Sequence, residues 1–334
     1  MADTSLRAAR AALLEDDALR GSAFGAALSA RLDAALAGVF DAARGPLRVS
    51  LVALGSYARR ELCPGSDVDL LLLHDVRTKQ RDAAREVAER CWYPLWDAGF
   101  VTGHALRSVK ESIALADAEL DTMTSFLVVR PVAGDDTLTT ELVAKARQLA
   151  VRRSARVLAQ LADAADLRRV RPGLVSEMLE PDLKEGGGGL RDLHALEWVA
   201  YALGADGIDG LAARGFVSAS DAPRLELARD RLLDIRVALH RVTGGRTDRL
   251  ALQEQPAVAG LLGLGDADAL MHDLSSVGRE VAWITRDASL RIRDHVRGPS
   301  GRVARRDRVL AEGVVLREGR VVVTHEPPVP ALLV

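Results

Sequence analysis

The sequence LVALGSYARRELCPGSDVDLLLL, residues 51–73, decides the predicted fold of this chain. Two apolar runs, 47–54 with β-branched residues and 68–73 with mainly leucine, predict two buried strands. Between them, a Gly-Ser pair ends the first strand, a short helix is predicted over 57–62, and a Pro-Gly-Ser turn leads into the second strand. The order of strand, turn, short helix, turn and strand indicates a small α/β unit.

The same stretch carries four residues that fit phosphate and metal chemistry. Gly55 has no β-carbon to obstruct the approach of a ligand to the backbone, and Ser56 offers a hydroxyl and a backbone N–H at a helix start, where phosphate binds readily. Asp67 and Asp69 are two residues apart on a strand, so both carboxylates face the same side. Converging carboxylates repel each other unless a cation lies between them, and hard oxygen ligands favour Mg²⁺. We therefore predict metal-assisted phosphoryl or nucleotidyl transfer, with Asp67 and Asp69 as catalytic and metal-binding residues.

The remaining patterns divide the chain into an α/β part and a longer helical part. They predict helices over 4–44 (divided at Gly21-Ser22), 78–97 and 108–130, a third strand over 100–107, and mainly helices from about 138 to 294. The helical pattern is interrupted at Pro172-Gly173, Gly186 to Gly189 and Gly244-Gly245, and residues 314–323 predict a hairpin that turns at Glu318-Gly319.

These patterns lead us to expect four segments. They are N-terminal helices over 1–45, an α/β core over 46–137, a helical domain that packs on the active site over 138–297, and a linker with the start of a truncated further domain over 298–334.

A second stretch, EPDLKEGGGGLRDLHALEWVA (180–200), also has features of a phosphate site. Its glycines precede a helix and would allow close approach to phosphate, while Lys184 and Arg191 would supply positive charge. The same pattern taken alone is also typical of a flexible loop before a capped helix.

Composition excludes several classes of protein. Lys and Arg number 45 and Asp and Glu 47, a net charge of −2, which does not favour nucleic acid as a partner. The arginine clusters at 168–171 and 302–308 lack interleaved aromatic residues, so we expect a solvated face and a linker. The chain shows neither an apolar run of about 20 residues nor a secretory signal, so we expect no membrane association and a cytoplasmic location. Cys63 and Cys91 are expected to be buried, reduced thiols.

The Gly-Ser pair followed by Asp-Val-Asp resembles the signature of the polymerase-beta-like nucleotidyltransferase superfamily. Further motifs, namely GSYARREL, SDVDLLLL, YPLWDAGF, GHALRSV, EPDLKEGGGGLRDL, RGFV and RVALHRVTGGRTDRL, resemble the bifunctional PII uridylyltransferase/uridylyl-removing enzymes from about residue 50 to 290. A sister group of nucleotidyltransferases shares two of these segments. The resemblance implies an α+β fold, in which a nucleotidyltransferase core with a small mixed sheet and helices precedes a mainly helical domain.

The resemblance also implies an activity. Family members use Mg²⁺ to transfer UMP from UTP to a tyrosine hydroxyl of the nitrogen-regulatory protein PII, releasing pyrophosphate, and some relatives transfer AMP from ATP. Nothing in this sequence separates UTP from ATP. Complete members continue into a phosphohydrolase domain and two glutamine-sensing domains, so we expect transfer without removal or sensing here. Two alternatives stay open: another protein acceptor, or a catalytically weak module that binds PII or nucleotide.

The resemblance assigns roles to individual positions. It implies that Gly55, Ser56 and Arg59 contact the triphosphate, that Asp67 and Asp69 hold Mg²⁺, that Lys184 and Arg191 contact phosphate or nucleotide, and that Glu61 caps or orients. The superfamily normally supplies a third carboxylate from a later strand. Glu119 and Asp121 are the candidates for it, since the position two residues before Arg130, which is acidic in many relatives, is Val128.

Overall fold

The structure is a computed structural model that describes residues 2–303, 308–317 and 320–323. The chain divides into two compact units, Met1–Asp287 and Ala288–Val334. The first unit holds a four-stranded sheet with most of the helices, and the second holds a three-stranded sheet.

The secondary structure alternates between strands and helices up to residue 134 and is helical through most of the remaining chain. The helices are α1 (Ala2–Glu15), α2 (Gly21–Arg44), α3 (Gly55–Ala58), α4 (Arg81–Asp97), α5 (Val109–Ala118), α6 (Leu120–Leu127), α7 (Asp136–Arg152), α8 (Ser154–Val170), α9 (Leu190–Ala202), α10 (Gly207–Ala213), α11 (Ala222–Thr243), α12 (Gln255–Leu262) and α13 (Ala267–Val303). The strands are β1 (Val49–Ala53), β2 (Val68–His74), β3 (Thr102–Arg107), β4 (Arg130–Gly134), β5 (Arg308–Ala311), β6 (Val314–Arg317) and β7 (Arg320–Val323).

The four-stranded sheet is mixed, with the strand order β3-β2-β1-β4. β1 is antiparallel to β2 and β4, and β2 is parallel to β3. The inner strands β1 and β2 are buried almost throughout, which explains their uninterrupted apolar sequence. Because β1 and β2 are antiparallel, the end of β1 meets the start of β2, and the Leu54 N–H donates to the Asp69 carbonyl over 2.9 Å. The predicted α+β fold with a small mixed sheet is confirmed.

Helix α2 packs against α4, α11 and β4 in the first unit. Its buried side chains Phe24, Leu28, Leu32, Leu36 and Phe40 recur every four residues and so lie along one face. Within the described residues, α2 is also the one helix long and apolar enough to cross a bilayer by composition. The packing shows that its apolar face serves the core of this unit.

The predicted helix over 57–62 is instead one turn, α3, from Gly55 to Ala58. Arg60 has a positive φ of 59° and ends the turn. The Glu61 N–H then donates to the Ser56 carbonyl over 2.8 Å, closing the turn on itself. The prediction was wrong because the backbone turns at Arg60, a residue with no sequence preference for that conformation.

The helix predicted over 108–130 is two helices followed by a strand. Ser108 caps the start of α5, and Glu119, whose backbone is extended, separates α5 from α6. The sequence analysis missed β4, which begins at Arg130 and contains Pro131. β4 lies at the edge of the sheet, where proline is tolerated because one side of the strand donates no ladder hydrogen bond.

The second unit confirms the predicted hairpin and corrects the predicted linker. β6 pairs with β7 in antiparallel register, and the predicted turn residues Glu318 and Gly319 lie outside the described residues. The segment 298–308, predicted as a linker, is helical to Val303 and enters β5 at Arg308, with 304–307 outside the described residues.

Candidate active site

The first unit contains a cavity of about 360 Å³. It lies at the end of the sheet where strand β1 ends and strand β2 begins. The residues predicted to hold phosphate or metal line it: Gly55, Ser56 and Arg59, the carboxylates Asp67 and Asp69, and Lys184 and Arg191. The volume is within the range of pockets that bind small ligands. Two sequence segments more than a hundred residues apart therefore meet at one cavity.

The Asp69 carboxylate lies between two glycines. A β-carbon on Gly55 would be 2.8 Å from Asp69 Oδ2, and one on Gly103 would be 2.2 Å from Asp69 Oδ1. Gly103 is the residue of β3 that pairs with Asp69 in the sheet register. Gly55 also has a φ of +58°, a conformation that other residues rarely adopt. Both glycines are therefore required to leave space for this carboxylate.

The two carboxylates differ in their surroundings. Burial raises the pKa of Asp69, the charge of Asp67 raises it further, and Lys184 and Arg59 act in the opposite direction. Asp67 is about half exposed, and its Oδ1 accepts from Arg246 Nη1 at 2.6 Å. A cationic side chain thus compensates the more exposed of the two acids.

A partly buried hydrogen-bond network packs against the Gly-Ser turn and stabilises it. The Tyr57 hydroxyl donates to Asp33 Oδ1 over 2.6 Å, and Arg130 binds both oxygens of Asp33 at 2.7 and 3.0 Å. Burial and the neighbouring Asp33 charge raise the pKa of Tyr57, so the hydroxyl stays a donor. Arg130 thereby connects β4 to α3, a relationship that the sequence analysis did not anticipate.

Glu61, expected to cap or orient, is the centre of a buried charged cluster. Its Oε2 accepts from Arg59 Nε at 3.2 Å and lies 2.8 Å from His194 Nε2. Burial by itself would raise the pKa of Glu61, but His194, Arg59 and Arg229 lower it to about 2. Burial lowers the pKa of His194 to about 4, so the ring is neutral near pH 7 and donates to Glu61. The cluster fixes Arg59 at the cavity wall.

The glycine-rich loop is packed against protein rather than open to the cavity. Gly186 to Gly189 are buried and do not line the cavity, and a β-carbon on Gly188 would lie 2.2 Å from the Gly278 carbonyl oxygen. The Gly188 N–H donates to Asp192 Oδ2 over 2.8 Å. The expectation that these glycines admit phosphate is therefore corrected: they allow the loop to pack closely against neighbouring backbone.

The residues that flank these glycines do reach the cavity. Asp182 accepts from the backbone N–H groups of Lys184 and Glu185, which fixes the turn that presents Lys184. Arg191 donates to Glu185 Oε1 from both Nε, at 3.0 Å, and Nη2, at 2.7 Å. Arg191 therefore reaches the cavity already paired with a carboxylate.

Arg168, expected to be solvated, is mostly buried instead. Its Nη2 lies 2.6 Å from Oδ1 of Asp192, the same carboxylate that accepts from the glycine-rich loop. Asp192 is only 1% exposed and would carry an uncompensated charge without Arg168. Arg168 therefore stabilises the loop from within the fold, whereas Arg171 of the same cluster is exposed as expected.

Asp248, which the sequence analysis did not single out, joins three segments at the cavity. It accepts from Arg236 Nε at 2.6 Å and from His240 Nε2 at 3.0 Å, and its carbonyl accepts from the Leu183 N–H at 2.9 Å. His240 Nδ1 accepts from the Gly65 N–H at 3.1 Å, which fixes the neutral tautomer. Burial would raise the pKa of Asp248, but His240 and Arg236 hold it well below the usual range. Arg236, His240 and Asp248 all belong to the motif RVALHRVTGGRTDRL, but the motif did not indicate that they meet at the cavity.

The third carboxylate is not found at the predicted positions. Glu119 accepts from the Thr122 hydroxyl at the start of α6, Asp121 lies in the first turn of α6, and neither lines the cavity. Val128 lines a separate cavity. On β3, next to Asp69, the position that faces the site is occupied by Gly103.

The donor set is compatible with a divalent cation shared with substrate. Asp67 and Asp69 offer hard carboxylate oxygens, of which Asp67 Oδ1 accepts from Arg246. The other acids at the cavity, Glu61 and Asp248, are each bound by an arginine and a histidine side chain. Among the described residues, no group of three or more His, Cys, Asp or Glu side chains could hold a metal ion. The two carboxylates would therefore hold a divalent cation together with phosphate oxygens.

A mixed sheet with a Gly-Ser turn after one strand and paired aspartates on its antiparallel neighbour defines the nucleotidyltransferase class. The nucleotidyltransferase family described as DUF294 matches residues 14–106, which include the turn and both aspartates. The family described as GlnD PII-uridylyltransferase matches residues 155–288, which include Lys184, Arg191 and Asp248. The chain is therefore similar to the nucleotidyltransferase part of PII uridylyltransferases.

Curated relatives from bacteria agree with these matches. A bifunctional uridylyltransferase/uridylyl-removing enzyme of Streptomyces coelicolor is 42% identical over 95% of this chain and 38% of that protein. Proteins with the same description from Mycobacterium tuberculosis and Caulobacter vibrioides are 37% and 34% identical over 83% and 73% of this chain. The chain spans about two fifths or less of the length of these relatives.

Proposed function

We propose that this chain transfers UMP from UTP, or AMP from ATP, to a tyrosine hydroxyl of the signalling protein PII and releases pyrophosphate. The family match and the descriptions of the relatives support uridylyl transfer as the reaction class. The observation that carries the proposal is the single cavity that brings Gly55 and Ser56, the two aspartates, and Lys184 together.

Each part of this cavity would perform one task. The backbone at Gly55 and Ser56 would hold the triphosphate, because the first amides of a helix have no partner within it. Lys184 would offset phosphate charge. Mg²⁺ held by Asp67 and Asp69 would neutralise the phosphates and lower the pKa of the acceptor hydroxyl.

The reaction would be an in-line displacement at the α-phosphorus. The tyrosine oxygen forms a bond to the α-phosphorus while the bond to the pyrophosphate oxygen breaks, and the hydroxyl proton is released. The protein contributes mainly by positioning and electrostatic stabilisation. The cluster around Glu61 keeps Arg59 at the wall, where it adds positive charge beside the phosphates.

The direct test is the intact mass of PII after incubation with this chain, Mg²⁺, and either UTP or ATP. We expect a gain of one nucleoside monophosphate per PII subunit with one of the two nucleotides, and no gain with EDTA or with PII whose acceptor tyrosine is phenylalanine. No gain with either nucleotide, from a folded chain, would overturn the proposed acceptor. Binding of PII without transfer would then indicate a binding module, and absence of PII binding would indicate another acceptor.

A further inference from the structure

Arg246 is bound to a residue that the proposed function assigns to Mg²⁺. Its Nη1 lies 2.6 Å from Asp67 Oδ1, and both side chains are about half exposed. The ionised Asp67 carboxylate has about four lone-pair sites, but a guanidinium bound to it offsets the charge that attracts a divalent cation and repels that cation. Two states are therefore expected, one with Arg246 on Asp67 and one with the metal there.

The backbone that carries Arg246 is fixed on both sides. A β-carbon on Gly65 would lie 2.2 Å from the Gly245 carbonyl oxygen, so the two turns are in close contact. On the other side, Asp248 is held by Arg236 and His240. The side chain of Arg246 is therefore presented from a rigid position while it stays exposed enough to change rotamer.

The other arginines of the cavity are held differently. Each is bound to a carboxylate that has no part in metal binding: Arg59 to Glu61, Arg191 to Glu185, and Arg236 to Asp248. Within the described part of the chain, the hydrogen-bond partner of the Arg246 side chain is Asp67. Among these arginines, Arg246 is therefore the one that a metal at Asp67 would release into the cavity.

We infer that Arg246 is a triphosphate-binding residue that neutralises Asp67 until metal and nucleotide enter, and then moves to the phosphates. This inference rests on the proposed function. Arg246 lines the same cavity as Gly55 and Ser56, so a phosphate held at the turn is accessible to its guanidinium. Bidentate arginine–phosphate contacts are well suited to such a transfer. The exchange keeps the charge of the cavity balanced in both states.

The test compares Arg246→Gln with Arg249→Gln, using two probes that need neither acceptor nor base. Arg249 pairs with Glu180 and does not line the cavity. Arg249→Gln is therefore the matched control, because it removes one positive charge outside the cavity. Mn²⁺ binding without nucleotide is measured by electron paramagnetic resonance, and binding of inorganic tripolyphosphate with Mg²⁺ by calorimetry. Circular dichroism confirms that both variants are folded.

We expect Arg246→Gln to bind Mn²⁺ roughly two- to fivefold tighter, because a half-exposed ion pair no longer competes. We expect it to bind Mg-tripolyphosphate roughly ten- to a hundredfold more weakly, because a charged hydrogen bond is lost. Arg249→Gln should match the wild type in both. Unchanged Mn²⁺ affinity in Arg246→Gln, or unchanged tripolyphosphate affinity, overturns the inference.

Failure of the proposed function gives a different result in the same assays. If Mn²⁺ binding by the wild type does not depend on Asp67 and Asp69, as judged with Asp67→Asn and Asp69→Asn together, the metal assignment itself is wrong. If it does depend on them, the assignment stands whatever Arg246→Gln does.

Discussion

Gly103 on β3 pairs with Asp69 on β2, and the carboxylate of Asp69 occupies the place where a side chain on Gly103 would project. A β-carbon there would be 2.2 Å from Asp69 Oδ1. The strand next to the aspartate pair thus contributes space to the site rather than a further acid. The position of Asp69 depends on a residue with no side chain.

We therefore predict that Gly103→Ala lowers nucleotidyl transfer by at least about tenfold, since small displacements of catalytic groups are costly. The fold should persist, because β3 is an edge strand. Gly38→Ala, in helix α2 with open space around it, is the matched control and should keep full activity. Transfer rates and circular dichroism measure both, and equal rates for the two variants would contradict the prediction.

Replacing both acids, Asp67→Asn with Asp69→Asn, should abolish transfer and leave the fold intact. The amides keep the size of the side chains but do not offer the charge that holds Mg²⁺. Asp75→Asn, after the far end of β2 in an exposed ion pair, is the control and should be fully active. Transfer that persists in the double variant would exclude the metal-binding assignment.

Asp248→Asn should destabilise the first unit by about 3–5 kcal/mol, because it leaves the buried guanidinium of Arg236 without its counter-charge. The contact between α11 and the turn at Gly65 should weaken with it. The midpoint of urea unfolding is the measurement. The control is Asp230→Asn, at an exposed position of helix α11, and its midpoint should equal that of the wild type within error. A wild-type midpoint for Asp248→Asn would show that Asp248 does not stabilise the fold.

His194 should make stability depend on pH. Its pKa is about 4 in the folded protein, below the usual value near 6.5, so the unfolded chain binds the proton more tightly. The contribution of His194 to the free energy of unfolding is therefore complete above pH 6.5. It is lost as the pH falls toward 4, at up to about 1.4 kcal/mol per pH unit.

We expect His194→Gln, which keeps a donor for Glu61 but does not titrate, to show a shallower loss of stability between pH 6.5 and 4. His272→Gln, at an exposed position, is the control and should retain the wild-type slope. Unfolding free energies measured across this pH range test the prediction, and equal slopes in all three proteins would refute it.

The sequence was sufficient for the elements whose residues are close together along the chain. The turn at Gly55-Ser56 and the pair Asp67 and Asp69 are within fifteen residues, and strand alternation already places both acids on one side. Lys184 and Arg191 were named from the charge beside the glycine-rich segment, but only the family resemblance assigned them to the same site as the aspartates. Glycines that pack a loop against backbone and glycines that admit phosphate look the same in a sequence.

The sequence by itself determined the two buried strands, the turn between them, the aspartate pair and the change to a helical region. The tertiary structure decided what surrounds them: Gly103 beside Asp69, Arg130 beneath the turn, the Asp248 junction, and Arg246 on Asp67. Local propensity and periodicity depend on neighbours within a few residues, whereas these contacts join positions 34 to 179 residues apart. Their geometry is set by the packing of whole strands and helices, which no local pattern encodes.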